Sequence, residues 1–519
     1  LNATGSKGII RGALTLFASK GTARILRYLL WIVIIATFGY SEASDAYFIV
    51  QTVTLLFLTL TDNVFNYTLI PVLSKERVEK GEAEAQALAN SSLVYINLLL
   101  FCVSLAIFIL ADILSVALAP GLSPEWQKNL SLFFRIISPI PVLSGLGAVP
   151  ACVFYSERRF TLPSVTFLFY GISSIVSALF LASLLGIKCI FMGAVFGVFL
   201  QAVVLVAVLM KEGKISFSFK RHKSLPMVFK LTGPGLLATV LSNLNLMVDK
   251  LLATTLGAGA VTTLIGAIRF GQLPYVLLVA PLGSSMPHLS EMSAAKDFDG
   301  MRSFVRRIFG LLAFMIFPAM VILFLLREPL IGVLIEYGKV RPEDTLATAD
   351  AFFFIIFGLF FLALNGFARS VFFALRNAKV PLLTTALGCG MNLGFDLLFM
   401  QWMGLNGIAL AKPCLTGINA VILFWILQKN IGVLDWRGIL KESVIRIAAA
   451  ALAAGGIVHL VMVYGPEIWG QSRLLLVAAS ILVGVCVYLL LCAIFGVREM
   501  KEIAALIGRK LARRKGPKS

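Results

Sequence analysis

The sequence predicts an all-α polytopic membrane protein: 14 transmembrane helices, in two six-helix lobes around a central cavity, plus two C-terminal helices. Three observations predict it. First, 59% of the 519 residues are hydrophobic and only 14% are charged, with a mean hydropathy of +0.93, far outside the range of a soluble domain. Second, apolar runs of about 20 residues, each able to cross about 30 Å of hydrocarbon as a helix, recur along the chain. Nothing resembles the short alternating strands of an outer-membrane barrel. Third, short segments repeat at an offset of 218 residues.

The spans fall near 9–36, 45–72, 90–116, 129–154, 162–185, 188–210, 228–254, 262–286, 305–326, 349–374, 380–400, 405–427, 443–464 and 475–496. The first reads as a true helix and not a cleavable signal sequence, because Lys20, Arg24 and Arg27 interrupt what would have to be an unbroken apolar core. Basic residues in short loops favour the cytoplasmic side. Lys75, Arg77 and Lys80; Arg158 and Arg159; Lys211 to Lys223; Arg302 to Arg307; Arg376 and Lys379; and Arg513 to Lys515 all fall on one expected side. The opposite loops carry few cations, chiefly Lys128, Lys188, Lys339, Arg341 and Arg473. An even number of spans then places both termini in the cytoplasm. The net charge of +19 is an orientation signal and an attraction to anionic phospholipid headgroups.

The repeat gives the architecture. Thr37 and Gly39 of "TFGYSEASDAYF" answer to Thr255 and Gly257, and Pro71, Leu73 and Ser74 resemble Pro287, Leu289 and Ser290. "SERRFTLP" (156–163) matches "ALRNAKVP" (374–381), and Gly186-Ile187 matches Gly404-Leu405, at the same offset of 218. The expected division is an N-terminal lobe over 1–223, a C-terminal lobe over 224–428, and the last two helices with a basic tail over 429–519. Lobes with an even number of helices enter the membrane from the same side, and rocking one against the other would open a cleft alternately to either face. "TGPGLL" (232–237) and "APLGSSMP" (280–287) supply candidate hinges or static kinks beside it.

Charges within apolar segments mark the cavity. Lys20, Arg24 and Arg27 are four and three positions apart and therefore share one helical face. Leaving one unpaired in hydrocarbon costs about 3 kcal/mol even on permissive scales, so they call for water, a counter-ion or an anionic cargo. Arg24 and Arg269 are the leading cargo contacts, since a guanidinium offers a planar fork to phosphate oxygens, and Lys20 and Arg27 join them as candidates. Asp62 and Asn66 share a face of the second span, with Asp45 near its outer end; Asn245 and Asp249 share one on the seventh, beside Lys250; Gln272 follows Arg269 on the eighth. These are the cavity or coupling candidates, and packing ion pairs are the competing reading for the acidic ones.

Other chemistry finds little support. The seven cysteines lack metal-ligand spacing, and His222, His288 and His459 form no cluster in sequence, so no catalytic or cofactor-binding residue is assigned and any metal is unknown. No basic domain exists to hold a nucleic acid. No GxxxxGK[ST] loop is present for ATP hydrolysis. The energy sources that fit are the membrane potential, worth about 2.3 kcal/mol per charge per 100 mV, and coupling to Na+ or H+.

"FGYSEASDAYFIV" (38–50), "GAIRFGQLPYVLLVAPLGSSMPHLSE" (266–291), "FFALRNAKVP" (372–381) and "GLNGIALA" (404–411) resemble the MurJ/MviN family of lipid II flippases, within the multidrug/oligosaccharidyl-lipid/polysaccharide exporter superfamily. The resemblance implies two six-helix lobes around a cationic cavity and a groove on helices 13 and 14 for a polyprenyl tail. It places family diphosphate or cavity contacts on Arg24, Asp45 and Arg269. Two basic positions of the family fall instead near Leu30 and Phe57, and Lys20 or Arg27 stands a turn away as a substitute.

The expected activity is therefore transport without chemistry: flipping a polyprenyl-diphosphate-linked glycan, foremost the peptidoglycan precursor lipid II, from the inner to the outer leaflet of the bacterial cytoplasmic membrane. A flippase for another lipid-linked oligosaccharide or polysaccharide is the alternative, and a cation-coupled multidrug exporter the next. The protein is expected to act as a monomer among phospholipids, with cell-wall biosynthesis proteins as partners.

Overall fold

The computed structural model describes residues 3–279, 285–469 and 472–502. The helices that correspond to the expected spans are α1 (Ala3–Phe38), α2 (Glu42–Lys80), α3 (Glu82–Ile109), α4 (Pro124–Ser156), α5 (Thr161–Leu185), α6 (Lys188–Lys211) and α7 (Leu225–Thr254). They continue as α8 (Ala260–Val279), α9 (Phe298–Ile335), α10 (Pro342–Ala374), α11 (Lys379–Met403), α12 (Leu405–Ile431), α13 (Ile445–Trp469) and α14 (Arg473–Ile494). Among the described residues 13 helices are long and apolar enough to cross a membrane. The remaining expected span, 262–286, runs through residues 280–284, which lie outside the described residues, as do most of the "APLGSSMP" segment and the tail with Arg513, Arg514 and Lys515.

The chain forms two compact units: Leu1–Thr262 with Tyr337–Val340, and Thr263–Glu336 with Arg341–Ser519. These units are defined by packing and do not coincide with the repeat halves, because α7 packs against α2 and so belongs to the first unit. In the first unit, α6 packs along α5 and against α4, and α4 packs on α3, around a core that includes Leu69, Leu93, Phe154 and Leu205. In the second, α10 packs on α12 and α9, with Phe309, Phe367, Phe372 and Leu423 at its centre. The two helices outside the repeat, α13 and α14, pair with each other and lie on α9.

The repeat is visible in the backbone. Gly39 and Gly257, Arg158 and Arg376, and Gly186 and Gly404 form three pairs of left-handed residues, with φ of 71° and 112°, 62° and 56°, and 60° and 57°. Each pair is 218 positions apart. The hydrogen bonds repeat as well. Arg158 N–H donates to Tyr155 O (2.9 Å) and Arg159 N–H to Phe154 O (2.9 Å), while Arg376 N–H donates to Phe373 O (3.0 Å) and Asn377 N–H to Phe372 O (2.9 Å). This is the Schellman ending of a helix, here with arginine where glycine is usual.

Three connections meet at one end of the first unit. Lys339 N–H donates to Ala36 O at 2.8 Å, and a Cβ on Gly338 would lie 2.2 Å from that oxygen, so only glycine fits. Close by in sequence, the Asp45 carboxylate of α2 binds the start of α8. Its Oδ2 accepts from Gly259 N–H (2.7 Å), and its Oδ1 accepts from Thr262 N–H (2.8 Å) and Thr262 Oγ1 (2.6 Å).

Candidate functional site: a cationic cleft in the first unit

The spacing of Lys20, Arg24 and Arg27 holds in three dimensions. All three line one cleft of about 900 Å³, counting its open mouth, together with Asp62, Tyr170 and Gln201. Apolar side chains, among them Leu55, Leu58 and Phe167, complete the wall. Arg24 is exposed and Arg27 half-buried. Helix α5 reaches α1 closely because Gly171 has no side chain: a Cβ there would stand 3.2 Å from Leu26 Cβ. That approach brings Tyr170 to the cleft.

Helix α2 is interrupted by a π-helical turn over Leu60–Val64, and this turn carries Asp62. Such turns are rare and cluster at functional sites, because one extra residue per turn re-aims the side chains it carries. The expected Asp62 and Asn66 pair is present: Asn66 Nδ2 donates to Asp62 Oδ1 at 3.1 Å. Cys152 Sγ in turn donates to Asn66 Oδ1 at 3.5 Å. The other Asp62 oxygen, Oδ2, stands 3.8 Å from Lys20 Nζ. A second, smaller cleft of about 440 Å³, lined by Asn66, Ser144 and Tyr155, adjoins it and shares Asp62 and Gln201 with the first.

The remaining candidates lie elsewhere. Asp45 is fully buried and engaged with the α7–α8 connection, as described above. Asp249 is also buried, and Asn245 is half-buried. Lys250 turns toward α2, donating from Nζ to Phe48 O at 3.1 Å and to Thr52 Oγ1. None of these four lines the cationic cleft among the described residues. Arg269 and Gln272 lie on the part of α8 that belongs to the second unit, Arg269 half-buried and Gln272 exposed. Tyr170 and Gln201 are cleft residues that sequence reasoning missed, and the signal for Gln201 was a lone amide in the apolar run of α6.

One cluster offers metal-ligating atoms: Glu76, Glu84 and His222 bring a ligand atom each within 4.8 Å of one another. The hydrogen bonds argue against a metal. His222 Nδ1 accepts the Ser224 N–H (3.1 Å), which fixes the ring proton on Nε2, where it points to Glu84 Oε2 at 2.9 Å. Glu76 accepts from Ser224 Oγ (2.5 Å) and pairs with Lys80 (2.9 Å). The cluster is thus an internally matched tie between the α6–α7 linker and the α2–α3 turn. A neighbouring surface network is matched too: Arg159 makes a bidentate pair with Glu212 (2.6 and 2.7 Å), and Lys214 bridges to Glu157 (2.7 Å). Hydrogen bonding from Arg159 holds the Glu212 carboxyl down to about 2, and the carboxylates hold Arg159 and Lys214 above their ordinary values.

A family model described as "Lipid II flippase MurJ" matches residues 34–497, nearly the whole of this architecture. The chain belongs to the MurJ family. A relative from Thermotoga maritima, named a probable lipid II flippase MurJ, is 25% identical over 500 residues, covering 94% of this chain and 98% of its own. Among solved structures, a lipid II flippase MurJ in an inward closed conformation superposes with a TM-score of 0.78 at 22% identity, covering 93% of this chain and 98% of the other. An inward-facing multidrug resistance MATE transporter of the MOP superfamily follows with a TM-score of 0.68 at 14% identity, covering 80% and 95%. At these identities the two structures speak for the fold, which MurJ members share with MATE transporters.

Proposed function

We propose that this MurJ family member flips lipid II across the cytoplasmic membrane by alternating access. It is a transporter and makes or breaks no covalent bond. The observation that carries the reading is the convergence of Lys20, Arg24 and Arg27 on one cleft, an arrangement that suits a diphosphate and repels cationic drugs. Arg269 supplies a further cation on α8. The apolar tail stays in lipid while the headgroup passes through the hydrated cleft, so the protein's work is to replace water around the phosphates. The paired turns at the 218-residue offset support two six-helix lobes, 1–223 and 224–428, as the rocking elements. Basic loops support cytoplasmic termini.

A second reading, a different lipid-linked glycan, is favoured by one observation. Leu30, near a position where the family resemblance implies a basic residue, is apolar and fully buried, so no cation stands there to meet the phosphates. For energy, an inside-negative potential favours return of a positively charged cleft toward the cytoplasm, and Na+ or H+ coupling is the competing source.

Native mass spectrometry against a panel of lipid II, other polyprenyl-diphosphate glycans and plain phospholipids tests the assignment. Selective retention of lipid II is expected. Retention of another diphosphate glycan would move the protein to a different pathway, and indifference to the diphosphate would remove the reading. Flipping in proteoliposomes with and without an imposed potential, Na+ gradient or pH gradient separates the energy sources.

A further inference from the structure

The cleft holds an anion among its cations. Asp62 is three-quarters buried, with 26% of its side chain exposed, and is fixed in place by Asn66, which Cys152 fixes in turn. Its free edge faces Lys20 at 3.8 Å, whereas Arg24 has no ion-pair partner among the described residues. A site built only to bind phosphate would leave such a carboxylate out, because it repels the ligand and neutralises one of the cations. A carrier has the opposite need: the cargo must be held weakly enough to leave.

We propose that Asp62 is the resident counter-ion of Lys20, competing with the cargo's phosphate oxygens for that ammonium and so limiting how tightly the headgroup is held. The proposal rests on the diphosphate reading given above. In it, Arg24 provides affinity while Lys20 is shared between an internal carboxylate and the cargo. The π-helical turn aims the carboxylate at the cleft, and the Asn66 amide holds it there against the pull of water. Asp62 is thus a positioning residue that acts through Lys20.

The test uses the full chain in nanodiscs of neutral phospholipid, with undecaprenyl diphosphate as probe and undecaprenol as control. Asp62→Asn keeps the shape and the oxygen that accepts from Asn66 but removes the charge. It is expected to tighten diphosphate binding about two- to fivefold, the scale of a partly exposed ion pair, and to leave undecaprenol binding unchanged. In a Lys20→Gln background the same substitution is expected to give no gain. Flipping turnover at saturating lipid should fall in Asp62→Asn, because release slows. Asp62→Ser repeats the cycle if the Asn protein unfolds early.

Unchanged or weaker diphosphate binding in the uncharged variants would overturn the proposal. A gain that persists without Lys20 would overturn it as well, since Asp62 would then act by general repulsion. Wild-type protein that fails to prefer the diphosphate over undecaprenol would remove the underlying reading. A wild-type preference with no Asp62 effect removes the counter-ion alone.

Discussion

Replacing Asp45 with alanine takes away an acceptor for three hydrogen bonds at once, and the structure allows the cost to be worked out. The Gly259 and Thr262 amides that it caps are both buried, so neither finds water once the carboxylate is gone. An orphaned buried donor costs about 1–3 kcal/mol, and loss of a helix cap about 0.5–2 kcal/mol. These overlap, and the Thr262 hydroxyl can rotate to another partner, so the expected loss is about 2–5 kcal/mol for Asp45→Ala. Asp45→Asn keeps one acceptor but turns an NH2 toward a donor, and should fall between alanine and wild type. Reversible unfolding in mixed SDS and mild-detergent micelles measures the loss, with undecaprenyl diphosphate binding measured on the folded fraction. The reasoning is wrong if alanine lies within about 0.5 kcal/mol of wild type, the scatter of surface substitutions. Intact stability with reduced lipid affinity would instead make Asp45 a cargo contact.

Other residues make further commitments, the proposed cargo contacts first. Arg24→Ala and Arg269→Ala should each weaken diphosphate binding by about tenfold or more, the worth of a hydrogen bond to a charged group, with insertion intact. Lysine at either position should restore only part of the loss, and full restoration in a lipid titration would show that charge alone suffices. Gly186→Ala and Gly404→Ala should each destabilise by about 1–3 kcal/mol, because their φ of 60° and 57° with strongly negative ψ is a conformation reserved for glycine. No atom lies within 4 Å of the added methyl at either site, so matched losses in SDS unfolding would isolate backbone strain. The Arg159 and Glu212 pair gives a pH signature. With its carboxyl depressed to about 2 from an ordinary 4.5, its contribution is complete above 4.5 and is lost as pH falls toward 2. Hydrogen exchange of the 211–224 segment should therefore quicken between pH 5 and pH 2.5, relative to the chemical rate, and Glu212→Gln should show the faster exchange already at pH 5.

What could be read from the sequence followed from physics that acts locally. Hydrophobic run length located the helices to within a turn at most ends, and the i, i+4, i+7 spacing alone placed Lys20, Arg24 and Arg27 on one wall. Asp62 and Asn66 were legible for the same reason. Asp45 was legible as an important residue but not as a cap, because its partners lie more than 200 positions away and backbone amides carry no sequence signal. Lys250 read as a cavity charge, yet its ammonium goes to the Phe48 carbonyl, since a long flexible stem can turn to whichever polar group is nearest. Tyr170 and Gln201 were hidden by averaging: a single polar side chain barely lowers the hydropathy of its helix. The π-helical turn was illegible: "LTDNV" is rich in weak helix formers, but such residues also occur in regular helices, and composition does not say which turn takes up an extra residue.

That turn bears on how α2 is compared with its relatives. Each extra residue advances a helix by about 100°, so the part of α2 beyond Val64 is set in a different angular phase from the part before Leu60. Deleting one codon within the turn would close it into regular helix and leave Asn66 and the buried Phe65 and Leu69 on their present faces, whereas the same deletion elsewhere in α2 would swing every residue beyond it by that angle, exchanging core for cleft. Descent can therefore reshape this wall by counting residues as well as by changing them. An alignment gap near 60–64 is a geometric event, and equivalences drawn across it belong to the angular phase of the helix before they belong to the column.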